Sequence, residues 1–189
     1  MWVQIYRESG YEEAARATRL SRNTADKSDT IGDELGKSDH ELFVKLIATD
    51  DAHSYGTPHS VGLRQVVFWI GVNAPLYWWK HMDRYTVGKT QASASTMYGL
   101  GPNRILTEAD FQGTIFPEYI AWLNKNIAQK KFEVVNRYLP NAYLQERALM
   151  ISLPTLRMII KQRRNHKLVE WKYFIDEILR QARYPTLLL

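Results

Sequence analysis

The spacing of hydrophobic and polar positions changes along the chain and predicts a mixed fold of strands and helices. Residues 3–6 (VQIY), ahead of Gly10, are typical of a short strand, and residues 11–20 (YEEAARATRL) carry small residues that suit a closely packed helix. Residues 38–50 place apolar side chains on one helical face. Between the two helices the sequence predicts a polar mobile loop near residues 21–37.

A strongly apolar segment in the middle of the chain predicts a central strand followed by a buried helix. Residues 63–73 (LRQVVFWIGVN) are rich in β-branched and aromatic residues, as strands are. Pro75 suits the first turn of a helix, and three consecutive aromatic residues follow it within residues 74–85. Residues 87–101 (VGKTQASASTMYGLG) lack helical periodicity and predict an irregular segment, either an ordinary packed loop or one whose amides and hydroxyls face a ligand.

The pattern of the C-terminal part predicts helices throughout. Three helical segments are expected, at residues 118–139, 142–165 and 166–183. A Leu-Pro-Asn sequence separates the first two, and a polar Arg-Arg-Asn junction separates the last two. Pro154 falls inside the middle segment, so we expect a kink there.

Length and composition favour one domain. The chain has 189 residues and is 45% hydrophobic, which is enough for one substantial core. No stretch rich in Pro, Gly and Ser divides it. We therefore expect a single domain over residues 1–189.

The absence of cysteine excludes several chemistries. With no cysteine, the chain has no disulfide, thiolate nucleophile, zinc–thiolate site or cysteine-bound iron–sulfur cluster. No basic leader followed by an apolar run occurs, nor an apolar segment of about 18 residues, so we expect a cytoplasmic protein with no membrane span. His53 and His59 lack the close spacing of paired metal ligands, and no metal site is predicted.

Positive charge is modest in total but clustered. The formal net charge is +5, from 25 Lys and Arg against 20 Asp and Glu. Basic residues crowd at residues 80–89 and 157–172. Such surfaces suit a phosphate-bearing small molecule or a nucleic acid, and they equally suit ordinary solvated helix faces.

Five local motifs occur in an order that is found in one enzyme family. They are GYEEAARATRLS (10–21), TPHSVGLRQVVFWIGVNAP (57–75), LYWWKHMDRYTVGKTQASASTMY (76–98), NRYLPNAYLQERALM (136–150) and LRMIIKQRRNHKLVEW (156–171). The matching positions are Ala14, Ala15, Arg16, Thr57, Pro58, Ala74, Pro75, Ser95, Tyr98, Arg137, Leu139, Pro140, Asn141, Tyr143, Arg163, His166 and Trp171. In these motifs the chain resembles the flavin-dependent thymidylate synthases.

The resemblance implies a fold and an activity. The fold would be α/β (α+β), with a small, mostly antiparallel sheet packed with long helices and a helical C-terminal half. The activity would be flavin-dependent one-carbon transfer to a pyrimidine nucleotide, dUMP to dTMP or a divergent variant. FAD is the implied cofactor, NADPH and methylenetetrahydrofolate the implied co-substrates, and a homotetramer the implied assembly.

The resemblance and the needs of the chemistry together select candidate site residues. Hydride transfer moves charge onto the pyrimidine and isoalloxazine rings, so cations and hydrogen-bond donors are required around them. The candidate catalytic residues are Ser95 and Arg147. The candidate cofactor-binding residues are His59, Arg84, Arg163 and His166. The candidate substrate-binding residues are Lys80, Lys89, Gln91, Ser93, Ser95, Tyr98, Arg137 and Arg147. We expect the positive side chains among them to converge on one anionic nucleotide.

The chain also departs from the family signature. The Arg-His-Arg triplet of that signature falls here on residues 85–87 (Tyr-Thr-Val), Ser93 replaces a Glu, and Met97 replaces an Arg. Lys80 and Arg84 also fit a plain helix surface, Arg137 and Arg147 fit salt bridges, and His166 fits a cap on the last helix. The alternative function is therefore a non-catalytic nucleotide- or nucleic-acid-binding protein that retains the fold.

Overall fold

A computed structural model of the protein describes residues 1–53, 58–101 and 103–189. Within them the strands are β1 (Trp2–Ser9), β2 (Val67–Pro75), β3 (Lys89–Ser93) and β4 (Leu144–Ser152). The helices are α1 (Tyr11–Leu20), α2 (Lys37–His53), α3 (Leu76–Met82), α4 (Thr96–Gly99), α5 (Pro117–Ala128), α6 (Phe132–Tyr138), α7 (Leu153–Arg163) and α8 (Val169–Gln181). Short 3-10 helices cover Ala25–Lys27, Pro58–Gln65, Glu108–Asp110 and Pro185–Leu188.

The four strands form one antiparallel sheet in the order β1-β2-β4-β3. β2 and β4 are the central strands, and residues at the ends of both are buried. β3 is an edge strand, and all but its first residue are exposed. The predicted fold class, a small and mostly antiparallel sheet packed with helices, is confirmed.

The chain divides into two compact units. Unit 1 comprises residues 1–2, 72–85 and 91–148, and unit 2 comprises residues 3–71, 86–90 and 149–189. The expectation of a single domain over the whole chain remains a prediction. None of the described helices is long and apolar enough to cross a membrane.

Unit 1 has its own apolar core. Leu100, Leu106 and Phe111 pack with side chains of α5 and with Val135 of α6. α5 begins at Pro117, where the missing backbone N–H costs no helical hydrogen bond. Lys130 has a φ of 57°, and this left-handed residue separates α5 from α6.

The core of unit 2 is built mainly by α7 and α8. Leu156, Ile159 and Ile160 of α7 are fully buried, as are Trp171 and Phe174 of α8. α1 packs against the 3-10 helix Pro58–Gln65. The loop between α1 and α2 is tied to Asp39, whose carboxylate accepts hydrogen bonds from the side chains of Arg19, Ser28 and Thr30.

Several predicted elements are confirmed. The strand near residues 3–6, the helix at 11–20 and the helix at 38–50 correspond to β1, α1 and α2. The apolar segment 63–73 gives β2, and α3 begins directly after Pro75. Two consecutive tryptophans of α3, Trp78 and Trp79, are fully buried, as their position after the strand predicts.

Three predicted elements are wrong. Residues 142–165 are not one helix kinked at Pro154, because the first half is β4 and Pro154 lies in the first turn of α7. Residues 118–139 form two helices rather than one. Residues 87–101 contain β3 and α4 and are not wholly irregular. A short, mostly apolar run such as residues 149–152 (LMIS) is compatible with either a strand or a helix. Pairing with the neighbouring strands of the sheet makes it a strand here.

Candidate functional site

Unit 1 contains a small polar cavity of about 180 Å³, which we call the unit-1 cavity. Its walls come from β2, the N-terminus of α4, the loop before α5 and the start of β4. The polar residues that line it include Asn73, Ser95, Thr96, Arg104, Gln145 and Glu146. Such a volume matches a small polar group and not a whole cofactor.

Ser95 is the sequence-predicted residue that lines the unit-1 cavity. It is the N-cap of α4, and its hydroxyl oxygen accepts hydrogen bonds from the backbone N–H of Met97 (3.2 Å) and of Tyr98 (3.3 Å). The serine hydroxyl also carries one hydrogen of its own to donate. Ser95 is therefore held by its own helix in a position from which it can donate to a ligand.

Polar groups of differing burial give the unit-1 cavity a defined chemistry. Arg104 forms an ion pair with Asp110, which also accepts the backbone N–H of Thr107 at 2.8 Å. Burial raises the pKa of the Tyr143 hydroxyl, with the negative charge of Asp110 adding to the effect, so this phenol remains a neutral hydrogen-bond donor. The Oδ1 atom of Asn73 is buried and has no hydrogen-bond partner among the described residues.

Arg147 is fixed by three neighbours in unit 1. It donates to Asp83 Oδ1 at 2.8 Å and to Gln145 Oε1 at 3.0 Å, and its guanidinium carbon lies 4.4 Å from the ring centre of Trp79. Gln91 donates to the same Asp83 Oδ1 at 2.7 Å. Two predicted site residues, Gln91 and Arg147, are thus joined through one carboxylate that the sequence analysis did not select.

Unit 2 contains a larger cavity of about 500 Å³, which we call the unit-2 cavity. Apolar side chains line much of it, among them Ile47, Leu63, Leu153 and Met158. Its polar lining includes Ser152, Thr155, Asp51, Arg157 and Lys161. This combination of apolar walls and a few polar groups, in this volume range, is typical of small-molecule sites.

One wall of the unit-2 cavity is formed where Gly88 meets the start of α7. The backbone N–H of Ser152 donates to the Gly88 carbonyl at 2.9 Å, and Thr155 Oγ1 donates to the Val87 carbonyl at 3.0 Å. Gly88 has a φ of 66°, and a Cβ there would lie 2.4 Å from Thr155 Oγ1 and 2.6 Å from Ser152 Oγ. Only glycine lets the chain approach the two hydroxyls this closely.

A charged cluster forms another wall of the unit-2 cavity. Arg157 donates to both carboxylate oxygens of Asp51, at 2.7 and 2.5 Å, and Lys161 Nζ lies 2.5 Å from Asp51 Oδ1. The hydrogen bonds from Arg157 are the main cause of a lowered Asp51 pKa of about 2. Asp51 is therefore ionised throughout the neutral range and balances part of the positive charge of α7.

The other predicted residues of unit 1 lie outside its cavity lining. Lys80 and Arg84 are exposed at the C-terminal end of α3 and just after it, and Arg137 is exposed on α6. Ser93 is exposed on β3, and Tyr98 on α4 is 91% exposed. Their convergence on one anionic nucleotide therefore stays a prediction.

The predicted residues of unit 2 also lie outside the described lining of its cavity. His59 is exposed in a 3-10 helix, next to the lining residue Ser60, and Lys89 begins β3 next to Gly88. At the end of α7 the Arg163 guanidinium carbon lies 5.1 Å from the Trp171 ring centre. His166 Nδ1 accepts the backbone N–H of Leu168 at 3.1 Å, just before α8 begins.

Sequence reasoning missed the residues that shape the larger cavity. Ser152, Thr155, Arg157 and Lys161 fall in the segment 142–165, which the sequence pattern predicts as one helix, so the true boundary between β4 and α7 is hidden in the sequence. One signal did exist, because the basic cluster at residues 157–172 begins with Arg157. Asp51 is 106 residues away from Arg157 in sequence, and no local pattern connects them.

The fold of this chain is that of the flavin-dependent thymidylate synthases, as comparison with solved structures shows. The chain is similar to ThyX from Helicobacter pylori, in a structure complexed with FAD and dUMP, with a TM-score of 0.76 and 14% sequence identity. The match covers 100% of this chain and 98% of that chain. A second ThyX structure from the same organism, also with FAD and dUMP, gives a TM-score of 0.74 at 14% identity and covers 98% and 95% of the two chains.

A third similar structure carries a related activity in its name. It is the UMP/dUMP methylase PolB from Streptomyces cacaoi bound with 5-Br dUMP, with a TM-score of 0.63 and 13% identity over 99% of this chain and 93% of that chain. No protein-family model matches the chain, and no curated protein sequence matches it. At these identities the likeness establishes the fold, which the sequence motifs also implied.

Proposed function

We propose that this protein is a flavin-dependent enzyme that transfers a one-carbon unit to a pyrimidine nucleotide, as in the conversion of dUMP to dTMP. The observation that carries the proposal is the likeness of fold over the whole chain to proteins crystallised with FAD and dUMP and to a UMP/dUMP methylase. The two cavities add chemistry of the kind that the reaction needs. NADPH and methylenetetrahydrofolate are the co-substrates that we propose.

The unit-2 cavity suits a flavin. An isoalloxazine ring is flat and largely apolar with a polar edge, and the cavity offers apolar walls beside the hydroxyls of Ser152 and Thr155. Its volume of about 500 Å³ lies in the usual range for cofactor sites. The side chain of Arg157, which lines the cavity and is 10% exposed, supplies a cation at its wall. When bound, a reduced flavin supplies the hydride that converts a transferred methylene into a methyl group.

The unit-1 cavity suits the polar part of a nucleotide. Ser95 can donate its hydroxyl hydrogen, and Tyr143 adds a phenol whose pKa is raised further by burial. The ion pair of Arg104 and Asp110 places a charged donor and a charged acceptor at the same cavity. Arg147 stands in a network that holds its guanidinium still, and we propose that it orients the substrate, since a preorganised cation stabilises charge that develops on a pyrimidine ring.

A visible absorption spectrum of the purified protein tests the proposal. We expect a yellow protein whose flavin absorbance survives gel filtration and changes when dUMP is added. Light scattering on the same column tests the proposed homotetramer. A colourless protein that gains no flavin on incubation with FAD would contradict the proposal.

The alternative function, a non-catalytic binding protein, predicts different results in these measurements. A non-catalytic binding protein would stay colourless and would bind single-stranded oligonucleotides with an affinity that falls steeply with salt. The control for both measurements is turnover, followed as dTMP formed from dUMP with methylenetetrahydrofolate and NADPH. Flavin binding without turnover would show that the fold kept its cofactor and lost the reaction.

A further inference from the structure

The charge cluster on α7 has more positive than negative side chains. Arg157 and Lys161 are four residues apart, on one face of the helix, and both bind Asp51. Two cationic side chains share one carboxylate side chain at this wall of the unit-2 cavity, and Arg157 also donates to an oxygen of Leu189, the last residue of the chain. Asp50 and Arg64 also line the cavity and carry opposite charges.

Two features of the cluster are unfavourable for the helices by themselves. Like charges at positions i and i+4 repel each other on a helix surface, which applies to Arg157 and Lys161. Asp51 lies in the last turn of α2, the end at which the helix dipole disfavours an acidic side chain. Asp51 is therefore placed where its own helix does not favour it, whereas Lys161 lies in the last turn of α7, where the helix dipole favours a cation.

The three members differ in how deeply they are buried. The side chain of Arg157 is 10% exposed, whereas that of Asp51 is 35% exposed. The buried Nε of Arg157 lacks a hydrogen-bond partner within the described part of the chain, although NH2 also donates to the Leu189 carbonyl at 3.1 Å. A deeply buried cation paired with a more exposed carboxylate is an arrangement in which an incoming anion can compete with the carboxylate for the cation.

We infer that Arg157 and Lys161 bind a phosphate group of the ligand in the unit-2 cavity, and that Asp51 is an internal anion that the phosphate displaces. Guanidinium binds phosphate in the same two-pronged way as it binds a carboxylate, so Arg157 can exchange one partner for the other without a change of rotamer. Lys161 adds a second, mobile point charge. The inference rests on the proposed function in one respect, since it takes the phosphorylated ligand to be a flavin nucleotide.

Riboflavin and FMN provide the test, because they differ only by one phosphate. We expect the protein to bind FMN about tenfold more tightly than riboflavin, as followed by quenching of flavin fluorescence. Lys161→Met should remove most of that preference, so that FMN and riboflavin bind with similar affinity. Asp51→Asn should raise FMN affinity several-fold, because the competing charge is gone. Lys172→Met, an exposed lysine of α8 outside the cavity lining, is the matched control and should behave as the wild type.

A second probe separates this inference from the proposed function. Inorganic pyrophosphate should raise the melting temperature of the wild type and of Lys172→Met, but not that of Lys161→Met. Equal binding of riboflavin and FMN would overturn the phosphate assignment while flavin binding stands. Pyrophosphate stabilisation without any flavin binding would overturn the flavin proposal while the phosphate site stands. Binding of neither flavin nor pyrophosphate would overturn both.

Discussion

The guanidinium carbon of Arg147 lies 4.4 Å from the centre of the Trp79 ring, and the two residues are also connected through Gln145. Trp79 donates its indole N–H to the Gln145 backbone carbonyl at 2.9 Å, and Arg147 donates to the Gln145 side chain at 3.0 Å. Trp79 is fully buried. The core of unit 1 therefore sets the orientation of an arginine on β4, which is a way to prepare a cation for a substrate before it binds.

Substitution of Arg147 by lysine tests whether stability and substrate binding depend on the orientation of this arginine. Lysine keeps the charge but loses the planar group that stacks on Trp79 and donates to two partners at once. We expect Arg147→Lys to lower the free energy of unfolding by about 1–2 kcal/mol, measured by urea denaturation. It should also weaken the effect of dUMP on the flavin spectrum.

A surface arginine provides the control for this substitution. Arg180 pairs with Glu177 on the exposed face of α8, so Arg180→Lys should leave both stability and nucleotide binding unchanged. If Arg147→Lys were as stable as the wild type and bound dUMP equally well, the stacked network would have no role in either property.

The sequence is sufficient to predict those elements whose pattern is long and local. α1, α2, β2 and α3 follow from periodicity and from Pro75, and the family motifs imply the antiparallel sheet. β4 could not be predicted from its own residues. It lies between β2 and β3, so its conformation is set by hydrogen bonds to strands that are distant in sequence.

The residues of the candidate site likewise divide into those that a local motif predicts and those that no local pattern predicts. Ser95 was selected from its motif, and its place at the N-terminus of a short helix agrees with the preference of serine for helix caps. Asp83 and Asp51, which pair with Arg147 and Arg157, were not selected. A single carboxylate has no local signature, and its partner is known only once the chain is folded.

Gly88 should be essential to the wall of the unit-2 cavity. Alanine there would be strained at a φ of 66° and would meet Thr155 Oγ1 and Ser152 Oγ. Gly113 also has a positive φ, of 81°, but has nothing within 4 Å of an added Cβ. We expect Gly113→Ala to cost about 1 kcal/mol of unfolding free energy, from backbone strain alone, and Gly88→Ala to cost at least about 1–2 kcal/mol more.

The two glycine variants should also differ in cofactor binding. Gly88→Ala changes the cavity and should weaken FAD binding, as followed by flavin fluorescence, whereas Gly113→Ala should bind FAD like the wild type. Equal losses of stability in the two variants would show that the close approach of Gly88 to α7 contributes nothing beyond its backbone angle.

Ser95 should act through its hydroxyl and not only through its size. Ser95→Ala removes the acceptor for two backbone N–H groups and the donor that lines the unit-1 cavity. We expect dUMP affinity to fall about tenfold, measured by titration of the flavin absorbance. Ser95→Thr retains the hydroxyl and should restore most of the affinity, whereas equal affinity in the alanine variant would exclude Ser95 from the site.

Asp39 makes stability depend on pH in the acid range. Its side chain is fully buried, and burial by itself opposes ionisation, but hydrogen bonds from Ser28, Arg19 and Thr30 outweigh that effect and lower its pKa to about 2. In the unfolded chain an aspartate has a pKa of about 3.9. Between those values the unfolded state binds more protons, so the stabilisation is complete above about pH 5 and is lost as the pH falls toward 2.

Asp39→Asn should therefore change both the level and the slope of stability against pH. At pH 7 we expect it to lower the free energy of unfolding by about 2–4 kcal/mol, because Arg19 is left without its buried counter-charge. Between pH 5 and 2 the variant should lose less further stability than the wild type, measured by urea denaturation at each pH. Asp26→Asn, in the same loop but exposed, should keep the wild-type slope. Each of the two variants replaces one carboxylate by an amide. If the stability of Asp39→Asn also fell with pH as steeply as that of the wild type, the buried ion pair would not govern acid unfolding.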